Sequence, residues 1–361
     1  MKRMPLNQRG FTLLELLVAM SIGIFLIGAA IVVSSVQSQV YKGTNAQASI
    51  QDAENAITAL LTPTIRSAGF DGCSNLSTAV SNLNSGGPSP LGSIATAPTI
   101  VFGYDYQNTA GSGSTLTIAA DNAANDTNAG HWSPSLDSTL VGNVIPGSDV
   151  LVVLGAAAGS RPVGVTASVK GSNSVSVRDT SGFVVGDWAA VSDCLKSSVF
   201  RITSIATNDL VHEAGSGALA NATAALALNY PVGSQAVPLR QTAFFVSNGV
   251  GGQSVLTRGT LVGATWNFEQ LVPGVETMQV LYGIGAAADG LVTTYVPASA
   301  VTDWTLVHSI RLAFLIEGRV GAGASPAASA PNVLGTTVTP PTDGMLRHVY
   351  EMTVDLRNSA T

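Results

Sequence analysis

Few residues of this chain stand where side-chain chemistry could be assembled, and those that do suggest cross-linking and charge pairing rather than catalysis. Cys73 and Cys194 are the only cysteines, with no C-x-x-C pair and no metal-type spacing. In an oxidising compartment they would form a disulfide, and the alternative is two separately buried thiols. His131, His212, His308 and His348 are scattered and read as ordinary surface or strand residues. The chain carries no G-x-S-x-G, P-loop or H-E-x-x-H motif. "DNAANDTNAG", residues 121–130, has the carboxylates and amides of a calcium loop, but it breaks the EF-hand pattern at its third position and lacks the closing Glu. It reads as a polar loop. Trp132, Trp188, Trp266 and Trp304 read as core or strand-edge aromatics rather than a sugar platform. The expectation is a non-enzymatic protein with no cofactor and no metal.

The exception is Glu15. From Phe11 to Val33 the sequence runs 23 residues with this one carboxylate as its only charge, long enough for a helix to cross a hydrocarbon core of about 30 Å. A carboxylate at mid-membrane costs roughly 2.5–3.5 kcal/mol, so it needs either a partner or a position near the interface. Glu15 lies four residues past Phe11, which leaves both readings open. Lys2, Arg3 and Arg9 precede the run and Lys42 is the next basic residue, so the positive-inside rule puts the N-terminus in the cytoplasm and everything after about residue 34 outside. A cleaved secretory signal is the alternative, although its apolar region would be shorter and no A-x-A site follows.

The elements that would carry these residues follow from pattern. "QASIQDAENAITALLTPTIRSAGF" repeats Ile50, Ala53, Ile57, Leu60, Leu61 and Ile65 at helical spacing, which predicts an amphipathic continuation of the apolar helix. Pro63 is expected to kink or restart it with Thr62 as N-cap, and Gly69 to stop it. Beyond residue 70 strands are expected at "TIVFGY", "STLTIA", 149–154, 183–192, 199–205 and 240–247. In "VHSIRLAFLIEG" the residues Ile310, Leu312, Phe314 and Ile316 share a face. In "RHVYEMTVDLRN" the residues Tyr350, Met352, Val354 and Leu356 do so, with Arg347, Glu351, Thr353 and Asp355 opposite. Both predict half-buried antiparallel strands. Residues 74–138 are loop-heavy, and 321–344 read as a long Ala/Pro/Gly loop.

Composition agrees with an exported, β-rich head. Hydrophobic residues make up 46% of the 361, enough for a core, while charged residues are only 11%. Removing the three basic residues of the N-terminal stub leaves 13 basic against 22 acidic, a body charge near −9. That argues against nucleic acid as a partner.

"RGFTLLELLVAM" resembles the N-terminal signature of type IV prepilins and pseudopilins: a basic leader, a Gly-Phe junction, a hydroxyl residue, then Glu as the fifth residue of an apolar helix. "ENAITALL", "IRSAGFDGC", "GDWAAVSDC", "SSVFRIT", "AFFVSN", "LVPGVETMQVLYGI" and the terminal "TVDLRN" resemble, in order, one branch of that group, the PilW family of minor pilins. Pro63 and the segment 74–138 depart from the pattern. The resemblance implies an α+β, type IV pilin-like fold, with a long helix over about 11–68 on an antiparallel β-sheet head. It implies cleavage by a prepilin peptidase after Gly10, with N-methylated Phe11 as the new terminus. Glu15 would then pair with the freed amine, on its own chain or a neighbour's. The implied divisions are a leader at 1–10, a transmembrane and filament-core helix at 11–33, an amphipathic extension at 34–69 and a periplasmic or extracellular head at 70–361.

The implied role is that of a minor subunit of the type IV pilus assembly machinery in a tip or priming complex. It would sit first in the inner membrane, then in the pilus at the cell surface. Its implied partners are the peptidase, the inner-membrane assembly platform, other minor pilins and the major pilin, with a tip adhesin as a further candidate. Two alternatives stand beside this one. A J-type pseudopilin of type II secretion shares the physics, whereas a membrane-anchored surface hydrolase or sugar-binding protein would only mimic the anchor.

Overall fold

The computed structural model describes residues 12–73, 75–84, 99–107, 113–118, 124–169, 171–217, 219–263, 265–285, 290–318 and 330–358. One helix, Leu13–Arg66, leads into a β-rich head, an α+β arrangement. The helix is 54 residues, about 81 Å at 1.5 Å per residue. Its two halves differ as their patterns require. Leu13, Phe25, Ile24 and Ile31 are exposed, while Ala46, Ile50, Ala53, Ile57, Leu61 and Ile65 form a buried stripe. Leu60 is half-buried and packs against the same core.

Pro63 does not break the helix, contrary to expectation. It lies in the last turn, where the ladder needs to continue for only three more residues, and Ser67 N–H still donates to the Pro63 carbonyl (3.0 Å). Burial of Leu61 and Ile65 on either side of it holds that turn in place. The chain then reverses through Gly69, whose φ of +77° suits glycine.

Two large sheets receive the stripe. Among the described residues, ten strands form one sheet around Gln235–Asn248, which pairs with Trp188–Ser192 along its first half and with Val150–Ala156 and Ser254–Val262 along its second. The other has four antiparallel strands in the order Val292–Val296, Val275–Gly285, Val307–Glu317, Arg347–Asp355. One hydrophobic core unites the helix stripe with Leu151, Leu239, Phe244, Val280, Leu312 and Phe314 from both sheets.

Several strand expectations are corrected by packing. Strand Val307–Glu317 is buried on both faces. Ile310, Leu312, Phe314 and Ile316 face the helix core, and Ala313 and Leu315 are covered by a small sheet built from Asn332–Val333, Thr336–Thr339 and Thr115–Thr117. That cover comes from within 321–344, so part of the expected loop is a hairpin paired to a distant strand. The 183–192 strand begins only at Trp188, because Gly186 turns at φ +93°. The 199–205 strand divides into Ser197–Arg201 and Ser204–Ala206. The 74–138 segment supplies Val101–Tyr106 and Trp132–Ser133 to the large sheet, and Leu76, Tyr104 and Trp132 to the core.

Candidate assembly site

The N-terminal end of the helix holds the residue singled out by its charge. Thr12 is the N-cap, and Glu15 closes a reciprocal capping box with it. Glu15 N–H donates to Thr12 Oγ1 (3.3 Å), and both Thr12 N–H and Thr12 Oγ1–H donate to Glu15 Oε2 (3.1 Å each). An acid in the first turn also meets the positive end of the helix dipole. Within a single chain, therefore, the carboxylate is occupied by its own helix terminus while its side chain stays exposed. Gly10 and Phe11 lie outside the described residues.

From Glu15 onward the helix presents apolar side chains on all sides, with Leu16, Leu17, Met20, Ile22, Leu26, Ile27, Val32 and Val33 all more than half exposed. It is long and apolar enough to cross a membrane. An apolar cylinder without a protein neighbour requires lipid or other helices around it. At its far end the helix is pinned to the head. Glu54 Oε1 meets His348 Nδ1 (2.7 Å), the Thr58 and Tyr350 hydroxyls are hydrogen-bonded, and Asn358 Nδ2–H donates to the Ala68 carbonyl (3.1 Å).

Cys73 and Cys194 are disulfide-bonded, with Cα atoms 5.0 Å apart. The bridge joins the segment after the helix to the turn between Trp188–Ser192 and Ser197–Arg201. The histidines stay apart: His212 is fully buried against Phe200, with its charge suppressed by burial, and His348 faces the helix. In the polar loop, Asp126 accepts from His131 Nδ1 (2.6 Å) and from the Asn128 amide (2.9 Å), which turns its carboxylate toward its own loop. Among the described residues no group of three or more His, Cys, Asp or Glu is placed to hold a metal. Trp132 and Trp188 are buried, and Trp266 and Trp304 lean on the core.

Two polar clusters escaped sequence reasoning. Arg347 lies on the outer face of its strand, as expected, and is enclosed there. Its guanidinium makes a bidentate pair with Glu276 (Nε and Nη2, 2.8 Å each), binds Asp343 at 2.6 Å and approaches Glu317 at 3.5 Å. Burial works against its charge, but its hydrogen bonds to Asp343 and Glu276 outweigh that and hold the guanidinium above its ordinary value. The Arg347 hydrogen bond draws the Asp343 carboxyl down to about 2, whereas burial leaves Glu276 raised despite the same partner. The second cluster surrounds Asp149, whose carboxylate accepts from the Tyr106 amide (2.9 Å) and the Val280 amide (2.8 Å). It thereby ties the ten-stranded sheet to the four-stranded one. The sequence signals were weak: a carboxylate inside each of the apolar runs "VETMQV" and "IRLAFLIEG", and an Asp opening "DVLVVL".

Residues 243–358 match the family model Type IV Pilus-assembly protein W, and residues 5–31 match the prokaryotic N-terminal methylation motif. No curated protein matches the chain. Among solved structures, a type IV-like pilin from Thermus thermophilus is 21% identical, with a match covering 34% of this chain and 70% of that one. Its TM-score is 0.25, a value from which nothing about this chain follows. The first match spans the four-stranded sheet, the second half of the central strand and the Arg347 cluster. The motif and the bare apolar helix fit a single-pass, membrane-anchored pilin. Over residues 243–358 the chain is similar to the type IV pilus-assembly protein W family, and near its N-terminus it carries the prokaryotic methylation motif.

Proposed function

We propose that this protein is a minor pilin that primes pilus polymerisation within a tip complex. In this reading a prepilin peptidase removes residues 1–10 and methylates Phe11. Residues 11–33 anchor the subunit in the inner membrane, with the terminus cytoplasmic and the head, 70–361, periplasmic. The same helix then becomes filament core, continued by the extension 34–69, and the subunit reaches the cell surface in the pilus. Its partners are the assembly platform, other minor pilins and the major pilin, and a tip adhesin is a further candidate.

The observation that carries this reading is the state of the helix: a capped carboxylate at its head and bare apolar surface along its first half. In lipid, Glu15 is satisfied by Thr12 and the helix dipole. In a filament, the amine freed at Phe11 offers it a full positive charge in dry surroundings, where such a pair is strong. An ion left buried without its partner is costly, so a subunit that inserts in register is favoured over one that does not.

The test is the N-terminal sequence of the mature protein together with Glu15→Val. The proposal expects N-methylated Phe11 at the start, normal leader cleavage in the variant and loss of its incorporation into pili. A retained leader, or wild-type incorporation of the variant, would refute it. Loss of secreted enzymes with pili intact would favour the pseudopilin reading.

A further inference from the structure

Beneath the seam between the two sheets lie two aspartates, with no cationic side chain paired to them among the described residues. Asp105, on strand Val101–Tyr106, and Asp149, just before Val150–Ala156, are each 3% exposed. Ser299 Oγ–H donates to Asp105 Oδ2 (2.7 Å), and two backbone amides serve Asp149 as described above. Across the seam stands Tyr282, 1% exposed, its ring edge-on to Trp304 with centroids 4.8 Å apart. Its hydroxyl rests against Gly103, where a β-carbon would lie 1.8 Å from Oη, so only glycine leaves it room. Among the described residues, neither Asp105 Oδ1 nor Tyr282 Oη meets a hydrogen-bond partner, and no Lys or Arg pairs with either carboxylate.

Asp149 Oδ1 holds the amide of the residue next to Asp105, so two buried carboxylates without a counter-ion lie close together and cannot both stay ionised without cost. We propose that Asp105 and Asp149 hold a single proton between them at neutral pH, and that this proton closes the seam between the sheets. The head would then hold together best in mild acid and loosen as the medium turns alkaline.

The electrostatics point the same way. Burial raises the Asp105 carboxyl from 3.8 to about 6. Burial, and then the Asp105 charge, raise Asp149 well above its ordinary value, and the two amide hydrogen bonds pull it back only part way. Burial and both carboxylates raise Tyr282 as well, so it stays neutral. A carboxyl raised in the fold contributes its full stability below the unfolded value near 3.8 and loses it as pH rises through the folded value. For Asp105 the loss runs from about 4 to about 6, and for Asp149 it continues above that window. His212 acts oppositely. Burial keeps it neutral, so it weakens the fold as pH falls below 6.5, but it belongs to the separate Phe200 cluster and is left unchanged by substitutions at the seam.

The decisive variant is Asp105→Asn, which copies the protonated acid: one oxygen for Ser299 and a donor where Oδ1 stands. Thermal unfolding of the full chain in detergent, followed from pH 4.5 to 8.5, should show the wild-type Tm falling from pH 5 to 8. The variant should be flatter and should unfold several degrees higher than wild type at pH 8. Equal slopes, or a variant less stable throughout, would overturn the proposal. So would a wild-type Tm at pH 8 that rises with added calcium and falls with chelator, since a cation would then occupy the place given to the proton. Should the variant not fold, infrared spectroscopy of the wild type decides. A protonated carboxyl band at neutral pH that disappears on alkalinisation supports the shared proton, and its absence sinks it.

Discussion

Arg347 ties the C-terminal strand to its neighbours through charge. It stands among Glu276, Glu317 and Asp343 with a side chain only 8% exposed. Replacing it with Met removes the positive charge and leaves two buried carboxylates facing a third, so the cost should resemble that of breaking a buried pair, about 3–5 kcal/mol. Urea unfolding of Arg347→Met should show this as a lower midpoint. Adding Glu276→Met should recover part of the loss, because the second change removes the stranded charge rather than a contact. If the double variant is less stable than the single, the cluster is not an ion pair in the energetic sense. Alternation along "RHVYEMTVDLRN" put Arg347 on the outer face of its strand, and it is there. What alternation could not reveal is that Asp343, four residues back, folds over to enclose it. Glu15 stood out by its charge alone, and the reciprocal cap it makes with Thr12, three residues away, was left unread.

At the level of elements, a period of 3.6 was enough to find the helix and name its buried face, because a helix makes its own hydrogen bonds. Strands have partners chosen by the whole chain, so their bounds drifted. Gln235–Asn248 is fourteen residues long because four different strands share it, and no local signal announces that. The contrast between the two halves of the helix gives a prediction. Ile57 is fully buried, and Ile57→Ala should destabilise the head by about 2–5 kcal/mol through lost burial and the cavity left behind. Ile24 is 71% exposed, and Ile24→Ala should leave the denaturant midpoint of the head unchanged in detergent. A measurable shift for Ile24→Ala would mean that the first half of the helix packs on the head, contrary to the structure.

The whole molecule hangs on the point where the helix enters the head. Gly69 N–H donates to the Leu154 carbonyl (2.8 Å), and Asn358 Nδ2–H reaches the Ala68 carbonyl (3.1 Å). The approach is so close that a β-carbon on Gly155 would lie 2.8 Å from the Ser67 carbonyl oxygen. Four residues beyond Gly69, the disulfide to Cys194 spans 121 positions of sequence. In the chain-entropy account, closing a loop of that size restricts the unfolded chain by up to about 4–5 kcal/mol, and engineered examples show that the realised figure is often smaller. Because the helix exit is also held by these backbone bonds, losing the bridge should lower global stability without freeing the Ile50–Ile65 stripe. Denaturant unfolding with and without reductant should therefore shift the wild-type midpoint down and leave a Cys73→Ser, Cys194→Ser double variant where it was. Hydrogen exchange in the folded double variant should still protect the buried stripe. A wild-type midpoint indifferent to reductant would remove the bridge from the account of stability, and early exchange along the stripe would show that the helix needs the covalent tie to stay docked.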